Sequence, residues 1–300
     1  METTPDQDII CGYVAVVGRP NVGKSTLVNR MLRFPLSIVT PKPQTTRHKV
    51  LGILSEEGVQ VIFLDSPGIM TPHYALQNLM LGNAWSAIEG ADLVLLLVDP
   101  RARRLEAGSE MLEKLAGMDK KVILALNKTD KVSKPELLPL IEYYHGLGFF
   151  EEIVPISALT GDGLDSLKEA VKTRLPRRPP FYPLDDLTDR PQRFFVSEII
   201  RQKVFEHFGE EIPYSVAVVI EEYKERKDAK DYIRAIIVCE RTSQKRMLIG
   251  SKGEAVKTFG QAARDEIEAF VGKGVFLELK VDVMKNWRKD ENQIRRLGQI

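Results

Sequence analysis

Residues Gly18-Arg19-Pro20-Asn21-Val22-Gly23-Lys24-Ser25-Thr26 decide the fold. The first eight fit G-x-x-x-x-G-K-[ST], and they stand between an apolar run, Tyr13 to Val17, and a helix-forming stretch from Thr26 to about Arg33. Glycine lets backbone N–H groups turn inward around phosphate oxygens, the helix N-terminus adds partial positive charge, and Lys24 neutralises the β and γ oxygens. Ser25 is placed to ligate Mg2+. The competing reading, a glycine-rich turn that binds nothing, would leave a cluster of inward N–H groups poorly satisfied. The loop therefore predicts a bound triphosphate.

Outward from the loop, apolar runs at 61–64, 93–98, 122–126 and 153–156 recur at helix-length intervals. That is the rhythm of a largely parallel sheet covered on both faces. Val50 to Leu54 and Val59 to Leu64 flank a Ser-Glu-Glu-Gly turn and predict a hairpin, which gives the sheet one antiparallel edge. Ligands of such sheets sit at the carboxyl ends of the strands, and the remaining motifs fall there. Asp65-Ser66-Pro67-Gly68 ends the run at 61–64: its carboxylate can reach the metal through water, and the Gly68 N–H can meet the γ-phosphate. Alone, such an Asp is usually part of a turn, but its place on the next core strand after Ser25 favours the phosphate role. Asn127-Lys128-Thr129-Asp130 ends the run at 122–126. A carboxylate at Asp130 accepts from N1–H and the 2-amino group of guanine, donors that adenine lacks. A helix cap at Thr129 or Asp130 is the alternative for this motif in isolation. Ser157-Ala158-Leu159 ends the last run and can close over the base, with the Ala158 N–H a candidate donor to guanine O6.

These four motifs in this order resemble the translation-factor-related small GTPases. Pro43-Gln44-Thr45-Thr46-Arg47 is similar to the first switch of the bacterial Era family. The resemblance implies that a threonine there completes the Mg2+ shell only with GTP bound. That role is placed on Thr46, with Thr45 as the alternative, in a loop ordered by the γ-phosphate and released after hydrolysis. Lys24, Thr46 and Gly68 are thus expected to act in catalysis, with Ser25, Thr46 and Asp65 around the metal. Ile69 stands where many GTPases carry a glutamine that orients the attacking water; isoleucine cannot hydrogen-bond water, so slow intrinsic hydrolysis is expected. Asn21 matches the asparagine that in potassium-activated relatives helps to hold a monovalent cation, which makes K+ a candidate beside Mg2+. A loop-stabilising side chain is the equal alternative for Asn21.

At 300 residues the chain exceeds the usual size of one core, so two domains are expected. Leu175 to Pro183 packs four prolines into nine residues, which ends a helix and disfavours a central strand. This divides the chain into a GTPase domain over 1–178, a linker over 179–193 and a second domain over 194–300. The second part predicts a helix at about 194–208, with Val196, Ile200, Val204 and Phe208 at i+4 spacing, and strands near 215–222 and 232–239. After Lys245 and Arg246 come Gly250-Ser251-Lys252-Gly253, a helix over about 254–271, an alternating strand from Val275 to Val283, and a basic helix from Arg288. Residues 241–300 hold 13 Lys and Arg against 8 Asp and Glu, although the whole chain has a net charge of +1. The excess is therefore local, as in polyanion binders.

An α-β-β-α-α-β order with Gly-x-x-Gly between two helices resembles a KH domain of the prokaryotic type. Gly250 and Gly253 permit close approach to nucleic-acid phosphates, Lys252 adds a charge, and Ile249 and Val256 can line a groove for splayed bases. A lone Gly-x-x-Gly more often marks a helix–helix turn; its place in the element order and the basic excess favour RNA. The expected fold is therefore an α/β P-loop GTPase domain followed by an α+β type II KH domain.

With Leu187 to Phe194, Ser197 to Arg201 and Trp287-Arg288, the similarity to the Era family extends over essentially the whole chain. It implies GTP hydrolysis in the service of small (30S) ribosomal subunit assembly, with the KH domain holding the 3′ end of the small-subunit ribosomal RNA. It also implies a cytoplasmic monomer with peripheral association at the inner face of the cell membrane. One alternative is an RNA-binding module whose GTP is structural and slowly turned over. Another, large-subunit assembly by relatives with two GTPase domains, is disfavoured by the single phosphate loop. Cys11 and Cys239, the two cysteines, lie beside apolar runs without metal-ligand spacing. Met1 to Asp6 lacks the pattern of a signal peptide, and the apolar runs are strand-sized.

Overall fold

The computed structural model describes residues 8–102 and 104–299, so the reading of Met1 to Asp6 lies outside the described residues. The chain forms two compact units: Met1–Ser37, Thr46–Thr71 and Met80–Asp189 make the first, and Ile38–Thr45, Pro72–Leu79 and Arg190–Ile300 the second.

In the first unit the strands are β1 (Ile9–Gly18), β2 (Val50–Glu56), β3 (Val59–Asp65), β4 (Leu93–Val98), β5 (Lys121–Leu126), β6 (Glu152–Pro155) and β7 (Arg177–Arg178). The helices are α1 (Lys24–Leu32), α2 (Ala75–Glu89), whose residues up to Leu79 group with the second unit, α3 (Glu110–Ala116), α4 (Lys134–His145) and α5 (Leu164–Lys172). The sheet runs β2-β3-β1-β4-β5-β6, with β7 pairing the start of β1. Only β2 and β7 are antiparallel to their neighbours. The predicted hairpin is real, pairing Val50 with Asp65 and Glu56 with Val59. Every residue of β3 and β4 is buried. Helices on both faces therefore explain runs that are apolar throughout instead of alternating. Because β1, β3, β5 and β6 are parallel, Gly18, Asp65, Asn127 and Ser157 all emerge at one edge.

Residues 179–189, expected as a linker, group with this first unit. Proline removes main-chain donors, so a side chain fastens the segment. Gln60, fully buried in β3, accepts at Oε1 from the N–H of Phe181 (2.9 Å) and Tyr182 (3.1 Å) and donates to the Tyr182 carbonyl (2.8 Å). Farther on, the Ile53 N–H donates to the Leu187 carbonyl at 2.8 Å and the Thr188 hydroxyl to the Leu51 carbonyl at 2.6 Å, which covers the open edge of β2.

The second unit contains α6 (Gln192–His207), α7 (Ile212–Ser215), β8 (Ala217–Lys224), β9 (Asp231–Cys239), α8 (Thr242–Ile249), α9 (Glu254–Val271), β10 (Val275–Val283) and α10 (Glu291–Arg296). Its sheet runs β10-β9-β8, β10 parallel and β8 antiparallel to the central strand. Val196, Ile200 and Val204 of α6 and Phe259, Ala263 and Ile267 of α9 cover Ile233, Ala235 and Ile237. Two boundaries differ from expectation. The strand expected from 215 starts at Ala217, because Ile212–Ser215 close a helical turn with Pro213 in its first positions, where a missing N–H costs nothing. The closing helix starts at Glu291, where the Asp290 carboxylate accepts from the N–H of Asn292 and Gln293; Trp287–Lys289 is only a 3-10 turn.

Candidate functional site

The phosphate loop is held open by backbone that few residues adopt. Gly18 has φ +145°, Gly23 +99° and Asn21 +62°. A Cβ on Gly18 would come within 2.4 Å of the Leu97 carbonyl, and one on Gly23 within 2.3 Å of Asn127 Nδ2. Lys24 is 6% exposed and donates to the carbonyls of Gly18 (3.3 Å) and Arg19 (3.1 Å). Burial pushes its ammonium down to about 8, with Asp65 opposing. Ser25 Oγ lies 2.9 Å from Thr46 Oγ1, which favours Thr46 over Thr45 as the switch hydroxyl beside the loop. Thr26 follows within α1.

Asp65 is fully buried, and neither carboxylate oxygen has a hydrogen-bond partner among the described residues. Burial raises its pKa, against the nearby Ser37 hydroxyl, the Lys24 charge and Ser25. An unpaired buried carboxylate costs free energy that a cation would offset. Together with two hydroxyls, it is a set of hard oxygens of the kind Mg2+ takes when phosphates supply the rest. Ser66 donates to the Val16 carbonyl at 2.9 Å, and the Ile69 N–H to the Gly18 carbonyl at 3.0 Å, so this segment is pinned to the loop. Gly68 has no room for a side chain: its Cβ would meet Pro20 N at 2.7 Å. Pro67 is buried between these fixed residues.

The guanine motif is built around Asn127. Its Nδ2 donates to the Val22 carbonyl at 2.7 Å and its Oδ1 accepts from the Ala158 N–H at 2.9 Å, so one amide joins three motifs. The Ala158 N–H is thus engaged in this structure, and donating to guanine O6 would require it to be shared with Asn127. Lys128 donates to the Asn21 carbonyl at 2.5 Å and pairs with Asp99 at 3.0 Å. The Ser157 hydroxyl donates to Asp130 Oδ1 at 2.7 Å, which holds the Asp130 carboxyl below its usual range and keeps it an ionised acceptor. Leu159 is 65% exposed, free to lie against a base.

Two residues of this site were not read from the sequence. Arg30 of α1 donates to the carbonyls of Leu159 (3.3 Å) and Thr160 (2.8 Å), fixing the loop that follows Ser157. Asp99, at the end of β4, orients Lys128. Burial works against its charge, yet Arg101 and Lys128 together hold its carboxyl down to about 2.

In the second unit, α8 ends at Ile249 and Gly250 turns the chain with φ +74°. Ser251 and Lys252 complete the turn, Lys252 at φ +49°, and Gly253 at φ +82° starts α9. Ile249 and Val256 are half-buried against the core. From Val256 a groove of about 580 Å3 continues between α9 and the edge strand β10, lined by Lys257, Gly260, Arg264, Leu277 and Leu279. Helical periodicity contained this extension: 257, 260 and 264 share one face of α9.

Comparison with known proteins gives the same two parts. A family model described as a 50S ribosome-binding GTPase matches residues 13–128, and one described as a KH domain matches 211–288. The GTPase Era of Geotalea uraniireducens is 46% identical over 287 residues, covering 96% of this chain and 97% of that protein. The GTPase Era of Geobacter metallireducens is 46% identical over 294 residues, covering 98% and 99%. A crystal structure of an Aquifex aeolicus Era variant bound to GDP and AlF4- matches with a TM-score of 0.91 at 39% identity, covering 97% of this chain and 99% of the other. A structure of Era in complex with MgGDPNP and nucleotides 1506–1542 of 16S ribosomal RNA matches with a TM-score of 0.91 at 38% identity and the same coverage.

Proposed function

The chain belongs to the Era family of GTPases, and on that premise we propose that it is a GTP-hydrolysing switch that binds the 3′ end of small-subunit ribosomal RNA and assists maturation of the 30S subunit. The observation that carries the nucleotide choice is Asp130, kept ionised by Ser157 and joined through Asn127 to the phosphate loop. An ionised acceptor there pairs with the two guanine donors and is left unpaired by adenine. RNA binding is supported by the strained turn at 250–253 and by the groove beyond it. It is also supported by the related Era bound to 16S ribosomal RNA.

In the hydrolytic step, water attacks the γ-phosphorus, the bond to the β–γ bridging oxygen breaks, and GDP and phosphate leave with the water proton on phosphate or solvent. Lys24 and the inward N–H groups from Asn21 to Ser25 hold the β and γ oxygens, and the Gly68 N–H meets the γ-phosphate. Ser25 and Thr46, with Asp65 through water, would hold Mg2+, which neutralises charge growing on the phosphate oxygens. Ile69 cannot orient the water, so unaided hydrolysis is slow; Asn21 would help to hold a monovalent cation that would supply charge, with a loop-stabilising side chain as the equal alternative. Equal single-turnover rates in K+ and Na+ would remove that cation. The family resemblance is what supports a cytoplasmic monomer with peripheral membrane contact; among the described residues no helix is long and apolar enough to cross a membrane.

A switch needs the RNA to prefer one nucleotide state, and GTP affinity to rise reciprocally when RNA is bound. RNA affinity measured with a non-hydrolysable GTP analogue and with GDP tests this, and equal values would refute it. Ile69 also fits the second reading, a mainly structural GTP. Multiple-turnover phosphate release that RNA does not accelerate would favour it.

A further inference from the structure

The second unit is not one stretch of sequence: residues 38–45 and 72–79 group with 190–300. The earlier segment is held to α6 at two places. Lys42 Nζ donates to the carbonyls of Phe205 and Phe208, which lie where a helix ends and no further N–H is available to them. One helical turn or two before that end, Arg201 Nη2 donates to the Thr45 carbonyl at 2.5 Å. The Arg201 residue is 1% exposed. Its guanidinium is aimed by Glu198, with Nε to Oε1 at 2.8 Å and Nη2 to Oε2 at 2.5 Å. A buried guanidinium clamped by a carboxylate has little rotational freedom, so the carbonyl it holds is fixed in turn. Gln77 then ties the two inserted segments together, donating to Gln44 Oε1 at 3.1 Å.

The next residue in the chain is Thr46, which belongs to the first unit and has its hydroxyl 2.9 Å from Ser25. The boundary between the units therefore falls on the peptide whose carbonyl Arg201 holds. We propose that Arg201, oriented by Glu198, is a positioning residue for GTP hydrolysis. By fixing the Thr45 carbonyl it sets the main chain from which the Thr46 hydroxyl reaches the Ser25 side of the phosphate loop, and Lys42 anchors the same segment a few residues earlier. This rests on the reading that Thr46 engages the metal only in the triphosphate state. It goes beyond that reading in assigning a residue of the RNA-binding half to the fidelity of the nucleotide switch. The bland alternative is that Arg201 and Glu198 are an i,i+3 ion pair that serves only the stability of α6.

The two roles separate by nucleotide. A residue that serves only stability affects GDP and GTP binding alike, whereas a positioning residue for Thr46 affects the triphosphate. The experiment uses the full chain and compares Arg201→Gln, Glu198→Gln, Lys42→Met and Thr46→Ala for affinity toward GDP and a non-hydrolysable GTP analogue, and for single-turnover hydrolysis. Arg201→Gln is expected to lower the analogue-to-GDP affinity ratio and the hydrolysis rate by about tenfold each, the scale of one charged hydrogen bond, with GDP affinity unchanged. Glu198→Gln and Lys42→Met lower the ratio in the same direction, and Lys42→Met decides the matter should the buried variants fail to fold. An unchanged ratio in these variants while Thr46→Ala lowers it overturns this proposal alone. An unchanged ratio in Thr46→Ala overturns the switch reading beneath it.

Discussion

On the proposed function, Lys24 would carry the charge that meets phosphate, and its surroundings would set a pH window for binding. Burial lowers its pKa to about 8, so below that value it is protonated before ligand arrives. Above it, binding must take up a proton, and affinity falls by up to about tenfold per pH unit. GDP affinity measured from about pH 7 to 8.5 should therefore decline toward the alkaline end, while Lys24→Met binds weakly with a flat profile; a flat wild-type profile would place the phosphate charge elsewhere. Asp130→Asn should exchange guanine for xanthine, whose 2-oxo group takes the place of the amino donor, read in competition binding of the two diphosphates. Retained guanine preference would contradict the role given to Asp130. Gly23→Ala should weaken both nucleotides together, since the added Cβ would displace the Asn127 amide that joins the loop to the base motif. The motif residues were legible because their identities and order carry the chemistry within short windows. Arg30 and Asp99 were not, because each acts on a partner distant in sequence, Arg30 on Thr160 and Asp99 on Lys128.

At the scale of elements, the turn between α8 and α9 separates conformational cost from ligand contact. Lys252 sits in the left-handed region at φ +49°, which costs an L-residue free energy that glycine does not pay. Lys252→Gly should therefore raise stability by about 0.5 kcal/mol, after the greater chain entropy of glycine is counted, while weakening RNA binding through the lost charge. Urea unfolding and RNA titration of this variant should move in opposite directions, and parallel changes would argue that the lysine is structural. Gly250 is different: a Cβ there would lie 2.7 Å from that of Ala255, so Gly250→Ala must shift the start of α9. Strongly periodic elements were legible with close bounds, as α9 and β10 show, because burial enforces the period. The short ones were not: α7 and the start of α10 depend on a proline at the first turn and an aspartate cap, local chemistry without periodicity.

At the scale of the whole molecule, the two-part division and the element order were legible, but the path of the chain between the parts was not. Four prolines marked a domain boundary with a linker over 179–193, whereas Gln60 and the edge of β2 fasten residues 181–188 to the first unit. Nothing in the proline-rich stretch names its partner, since the donors and acceptors lie on strands read for their apolar residues. The inserted segments 38–45 and 72–79 were likewise read as parts of the GTPase domain, because contiguity in sequence is the default assumption. A fragment of residues 190–300 should consequently unfold at lower urea than the same unit in the full chain, followed through Trp287, fully buried, in a Trp85→Phe background. Coincident midpoints would mean that the two segments contribute nothing to its stability. The same interrupted layout bears on how this architecture can be recombined. A crossover at the linker transfers an RNA-binding half without the two short segments written into the other half, and Lys42, which completes the end of α6, is then inherited from whichever parent supplied the GTPase. Chimaeras between relatives should therefore work only when those segments and α6 come from the same parent, so the heritable module here is a set of three sequence spans, not a cassette.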